Sequence, residues 1–306
     1  MAEAAAALSP ADIITNAIIE KLEAGVRPWV QSWRPAGSGR PLRANGEPYR
    51  GINCFWLWMV AESRGYLSRT WMTYKQAQAL GGQVRGGERS EIAIFYKSYT
   101  KQVASPLGGE GSDEIRRVLR AYRVFNVDQI EGLPDQFRTP LLTAVPPTDI
   151  LSDRAQQFLD RLPAKLRHRG DSAYYDRIDD AITMPEIALF ETRAAYAATL
   201  GHEAVHWSGH PDRLHRGFGK RFGDQAYGFE ELVAECGAAL LGADLGLPTE
   251  HLEDHAAYIS SWLKILKKDS RAVLTAAAKA EAAANYLLRA TGLATDPVIA
   301  SEALAA

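Results

Sequence analysis

With 306 residues, 46% of them hydrophobic, and a formal net charge of −2, the chain is too apolar for disorder and long enough for two domains with real cores. Its two cysteines, Cys54 and Cys236, provide neither a disulfide framework nor a metal knuckle, which implies a reducing compartment. The longest apolar run, Cys54 to Ala61, is too short to span a bilayer, and the alanine-rich start lacks the layout of a signal peptide, so a cytoplasmic protein with no membrane partner is expected.

In chain order, Ile13, Ile14, Ala17, Ile18 and Leu22 recur at helical spacing and predict a helix over 10–26. Pro28 to Arg50 is too rich in Pro, Gly and Arg for regular structure. An apolar helix is expected over 52–64, and a short one from Tyr74 to Leu80 ended by Gly81 and Gly82. Glu91 to Tyr99 alternates as a strand, Gly108 to Asp113 reads as a loop tip, and Val118 to Val127 as a second strand able to pair with the first. Leu133 to Thr148 carries four prolines and reads as a linker. Beyond it come helices at 151–162, from Thr192 through His206, at 229–241, near 253–268 and at 270–290, with a strand from Ala181 to Met184 stopped by Pro185. The expected architecture is α+β in two domains: residues 1–132, a linker over 133–148, and a mainly helical domain over 149–306.

Charge is distributed unevenly between these regions. Residues 1–132 hold 17 Lys and Arg against 13 Asp and Glu, the remainder holds 18 against 24, and residues 26–101 alone hold 12 against 4. Five of the seven tryptophans, Trp29, Trp33, Trp56, Trp58 and Trp71, fall in the basic region beside Arg27, Arg34, Arg40, Arg43, Arg50 and Arg69. Flat rings among cations suit a single nucleic-acid strand, whose bases stack while its phosphates are neutralised. Trp29 and Trp33, in the irregular stretch, are the candidate stacking platforms, and at least one of Trp56 and Trp58 is expected in the core. Lys75, Gln76, Arg85 and Lys97 are candidate phosphate contacts.

The second half carries His202-Glu203-Ala204-Val205-His206. Histidines at i and i+4 share a helix face and reach one ion, and the glutamate between them is placed as general base, the HExxH arrangement of metallopeptidases. A third ligand is needed. His210 lies too far along the same helix, and Asp212 would fit a layout that also requires a downstream methionine, yet none follows Met184. Glu231 and Glu235 lie one turn apart on a predicted helix whose Gly237, Ala238 and Ala239 permit close packing. Their spacing resembles the ExxxD segment of gluzincins, which implies Glu231 as ligand and Glu235 as the partner of His202, with the reverse assignment open. An edge strand commonly borders a zincin cleft, which draws attention to Ala181–Met184, and Tyr174 or Tyr175 is a candidate oxyanion donor. Zn2+ is the expected ion, with Mn2+ the alternative.

Several motifs in order resemble one family. Tyr49-Arg50-Gly51-Ile52-Asn53, Trp71-Met72-Thr73-Tyr74-Lys75-Gln76, Gly81-Gly82-Gln83-Val84-Arg85 and Val124-Phe125-Asn126-Val127 resemble the single-strand-binding domain of ArdC antirestriction proteins, which is similar to one in TraC-type primases. Ile182–Pro185, His202–His206, Glu230–Glu235 and His255–Ile259 resemble the zincin-like domain of that family. The resemblance brings Arg50, Asn53, Trp71 and Tyr74 into the candidate DNA contacts. It implies a protein that binds single-stranded DNA, protects incoming plasmid DNA from restriction during conjugation and carries a peptidase-like site with a possible protein substrate. The alternatives are a non-catalytic DNA coat with a structural metal, or a primase accessory. His255 has no derivable role.

Overall fold

The computed structural model describes residues 8–29, 39–103, 112–137, 151–217, 225–247 and 256–294. The first helix, α1 (Pro10–Glu23), starts where Ser9 accepts the Asp12 N–H, the Asp12 carboxylate reaches back, and Pro10 presets the first turn. It stops at Glu23, short of the expected 26, and buries Ile14, Ile18 and Leu22. Helix α2 (Ile52–Arg64) buries every side chain from Ile52 to Val60 and ends on left-handed Gly65. Gly51 enters it at φ 54° and ψ −133°, a backbone that only glycine tolerates.

Four strands form the N-terminal sheet: β1 (Leu42–Arg43), β2 (Thr70–Met72), β4 (Glu91–Val103) and β5 (Ser112–Asn126), in spatial order β1-β2-β5-β4. Strands β4 and β5 pair antiparallel along their lengths, Glu91 opposite Val124 and Val103 opposite Ser112, so both run beyond the limits that alternation predicts. Helix α3 (Tyr74–Ala79) and the small pair β3 (Gln83–Val84) and β6 (Ile130–Glu131) close a separate minor core of Met72, Ala77, Val84, Val127 and Ile130. The expected linker is described only as far as Phe137, where Leu133 and Phe137 pack on this minor core.

The second half opens with α4 (Asp153–Arg161), then a sheet of β7 (Lys165–His168), β8 (Tyr174–Asp176) and β9 (Ala181–Met184) in order β7-β9-β8. This corrects one expectation: β9 is the middle strand, hydrogen-bonded on both sides, and cannot offer a free edge to an extended peptide. Four helices complete the fold: α5 (Arg193–Ser208), α6 (Gln225–Leu245), α7 (Ala256–Lys268) and α8 (Ala272–Ala290). α5 lies against α6 closely enough that a Cβ on Gly237 would meet the Val205 methyl groups at 2.9 Å.

One apolar core spans both halves, running from Ile14, Ile18 and Phe55 through Val205, Leu240 and Trp262 to Leu287. Buried ion pairs cross the same boundary. Arg40, 5% exposed, donates to both carboxylate oxygens of Asp244 at 2.8 and 2.7 Å and to Glu281 at 2.9 and 2.7 Å. Glu281 also accepts the Gly51 N–H at 3.0 Å, fixing the start of α2 on α8.

Candidate metal centre and nucleic-acid surface

Thr192 caps α5 by accepting the Ala195 N–H, and the alanine-rich helix that follows buries Ala194 through Ala198. The regular helix then presents His202 and His206 one turn apart, their rings 4.9 Å between centroids. Glu231 reaches between them from α6, with Oε2 3.7 Å from His202 Nε2 and Oε1 3.5 Å from His206 Nε2. Among the described residues, His202, His206 and Glu231 form a three-donor group whose ligand atoms all lie within 4.8 Å of one another. Two donors about 2.05 Å from a tetrahedral ion stand about 3.4 Å apart, so the spacing and the donor chemistry both fit a divalent cation.

The carboxylates set the charge state of the imidazoles. Burial pushes the His206 pKa down, but Glu230 and Glu231 outweigh it and carry it up to about 10. His202 is also raised, burial opposing and Glu231 favouring the proton, with Glu203 and Glu235 adding their field. Burial raises Glu231, yet the two histidines hold it well below the ordinary carboxylate range. A cation bound here would compete with protons for these groups.

Glu235 lies outside the three-donor group. It is fully buried, accepts the Trp29 indole N–H at 3.2 Å and sits 3.7 Å from Arg27 Nη1. The residue that spacing did not single out is Glu230. Its Oε1 lies 3.5 Å from His206 Nδ1, behind the nitrogen that faces Glu231. Arg216, itself buried, donates to both Glu230 oxygens at 2.7 to 3.1 Å and to Ser208 Oγ at 2.9 Å, locking the segment after α5 onto α6. Tyr227 and Tyr258 also border the group. Their hydroxyls are 3.4 Å apart, and burial, the neighbouring tyrosine and Glu231 together hold the Tyr227 hydroxyl protonated.

Tyr174 and Tyr175, the expected oxyanion donors, are engaged by other partners. Tyr174 is exposed and accepts from Arg169 at 2.9 Å, and Tyr175 donates to Asp180 at 2.8 Å on the Arg213 side of the sheet. His210 turns toward the Asp212 backbone, and the Asp212 side chain is 86% exposed. His255 lies outside the described residues.

Two of the aromatic side chains expected to meet bases need the larger correction. Trp29 and Trp71 are buried, Trp29 against Trp262 and Trp71 against Tyr66, so neither presents a face to a base, while Trp56 and Trp58 lie in the core, where at least one of them was expected. Asn53 is buried too, its amide exchanging hydrogen bonds with the Ile94 backbone at 2.7 and 2.9 Å. Gln76 closes the capping box of α3. Trp33, Arg34 and the Lys97 side chain lie outside the described residues. What faces solvent is Arg50, Tyr74, Lys75 and Arg85, the last paired with Glu88 at 2.7 Å. Phe95, 43% exposed and edge-on to Tyr122, stands opposite exposed Arg120 in the β4–β5 ribbon.

Residues 9–125 match the family model of the N-terminal domain of anti-restriction factor ArdC, and residues 153–279 match that of a zincin-like metallopeptidase. The crystal structure of the antirestriction ArdC protein from plasmid R388, metal-free, superposes with TM-score 0.79 at 38% identity, covering 94% of this chain and all of that one. The chain belongs to the ArdC antirestriction family. A Mn(II)-bound structure of the R388 ArdC protein superposes with TM-score 0.75 at 39% identity, over 93% and 98% of the two chains. An uncharacterised protein of Sinorhizobium fredii, y4eC, is 38% identical over 91% of this ArdC-family chain and 92% of its own length. A DNA primase TraC of Escherichia coli is 36% identical over 90% of this chain, which spans only 26% of that primase. Among the described residues no helix is long and apolar enough to cross a membrane.

Proposed function

We propose that this chain is an antirestriction protein that binds single-stranded DNA through its N-terminal region and hydrolyses a protein substrate at a zinc site formed by His202, His206 and Glu231. The observation that carries the reading is the three-donor group on two tightly packed helices, with Glu203 beside it. A divalent cation bound there would supply a Lewis acid that polarises a carbonyl and acidifies water. His206 is oriented through its second nitrogen by Glu230, and His202 lies in the field of Glu235. Glu203 is the group that takes a proton from the attacking water and returns it to the leaving amine. The Tyr227–Tyr258 pair, whose hydroxyls are both held protonated, would supply the donor to an oxyanion. DNA contact falls to the exposed Arg50, Tyr74, Lys75 and Arg85 and to the Phe95–Arg120 ribbon, with Trp33 and Arg34 retained from the sequence.

The burial of His202, Glu203, His206 and Glu231 favours a second reading, a DNA coat whose metal is structural, because a peptide must reach Glu203 to be cut. Glu203→Gln separates the two, since it keeps the volume and the ligands and removes the base. On the catalytic reading this variant keeps its metal and its DNA affinity but loses casein hydrolysis and protection of transferred DNA. Full protection by Glu203→Gln would leave only the coat.

A further inference from the structure

We propose that Arg216 is a positioning residue of the metal centre: from the segment that follows α5 it fixes the Glu230 carboxylate at the second nitrogen of His206. This rests on the metal reading above and extends it to a side chain that holds no ion itself. The chain folds back on α5 as soon as the helix ends. The Leu214 N–H donates to the Ser208 carbonyl at 3.0 Å and the Arg216 N–H to the Gly209 carbonyl at 2.9 Å, with His215 between them in the left-handed region at φ 48°. The buried Arg216 guanidinium then uses its whole fork at this helix end. Nη2 donates to the Val205 carbonyl, Nη1 to Ser208 Oγ at 2.9 Å, and Nε and Nη2 to the Glu230 oxygens at 2.7 to 3.1 Å.

Contact with both oxygens fixes the plane of the Glu230 carboxylate, which a single hydrogen bond does not. Its Oε1 stands 3.5 Å from His206 Nδ1, while His206 Nε2 stands 3.5 Å from Glu231. An imidazole ligand is turned and held by what its second nitrogen meets, so the path from Arg216 to the metal-facing nitrogen runs through one carboxylate and one ring. Arg213 supplies the comparison within the same segment. It lies over the Trp207 ring at 4.0 Å, donates to the Trp207 carbonyl at 2.6 Å and reaches Asp180 at 3.0 Å. It therefore grips the same helix end without meeting a carboxylate of the centre.

The test is the affinity of the full-length protein for Zn2+, read by competition with a chromogenic chelator, with no assay of hydrolysis. Arg216→Lys keeps the cation and loses the fork, and is expected to weaken Zn2+ binding about tenfold, as loss of a residue supporting a metal ligand does. In the Glu230→Gln background the same change should cost nothing further, because both act through one carboxylate. Arg213→Met loosens the same segment away from Glu230 and should bind Zn2+ as the parent does. Unchanged affinity in folded Arg216→Lys, losses that add in the double variant, or an equal loss in Arg213→Met would overturn the proposal; the last two would assign the effect to packing of the segment. If Arg216→Lys does not fold, Arg216→Met combined with Glu230→Gln, which buries no lone charge, decides instead. Affinity equal to that of Glu230→Gln alone supports the proposal, and a further loss overturns it. His202→Ala is the control: parent binding that survives it would overturn the metal reading, and this inference with it.

Discussion

Adjacent carboxylates do different work at this centre because successive residues on a helix point about 100° apart. Glu231 faces the two histidine Nε2 atoms, while Glu230 turns to His206 Nδ1 and Arg216. Glu230→Gln leaves a hydrogen-bonding group for Arg216 but removes the charge behind His206, so Zn2+ affinity should fall about tenfold in a chelator competition. Glu230→Ala should in addition destabilise the metal-free protein by about 3 kcal/mol in urea, because the Arg216 guanidinium is then buried without its anion. Equal metal affinity in parent and Glu230→Gln would remove Glu230 from the centre. Spacing made His202, Glu203, His206 and Glu231 legible as a pattern, since helix periodicity fixes which of them share a face. Glu230 escaped because its partner Arg216 belongs to an irregular stretch, where sequence distance says nothing about direction.

At the scale of elements, the centre depends on how closely α5 and α6 approach. Gly237 lies opposite Val205 with no room for a methyl group, and Val205 sits one residue before His206. Gly237→Ala should cost about 1–3 kcal/mol of stability and weaken metal binding at the same time, as the helices separate. Thermal unfolding with and without Zn2+ checks both; loss of stability with intact metal affinity would show that the approach serves packing alone. The longer helices were legible from their period, α2 to the residue and the others to within a few. Strands β1, β2, β3, β6, β7 and β8 were not, because two to four residues hold too little alternation to read. β9 was legible as a strand but not as a central one, since its neighbours come from segments with weak signals.

For the whole molecule, the uneven charge of the sequence acquires a different meaning. Arg27 and Arg40, counted among the cations of the basic region, point inward to Glu235, Asp244 and Glu281 of the acidic one. Part of the asymmetry is therefore complementarity between two halves of one fold, and part remains at the surface, as at Arg50, Lys75 and Arg85. Composition could not separate the two, and it could not tell a tryptophan that stacks on bases from one that fills a core. Arg40→Met should lower stability by about 3 kcal/mol in urea, since Asp244 and Glu281 lose their buried cation. It should leave the salt dependence of DNA binding unchanged; a shallower slope would return Arg40 to the DNA surface.

That one divalent cation is held by His202, His206 and Glu231 is tested most directly by metal content after equilibrium dialysis. The parent protein, His202→Ala, His206→Ala and Glu231→Gln would be dialysed side by side against micromolar Zn2+. The geometry predicts one ion per parent chain and almost none in each variant, with all four proteins folded. An ion retained by any of the three variants at parental affinity, or none in the parent, would contradict it.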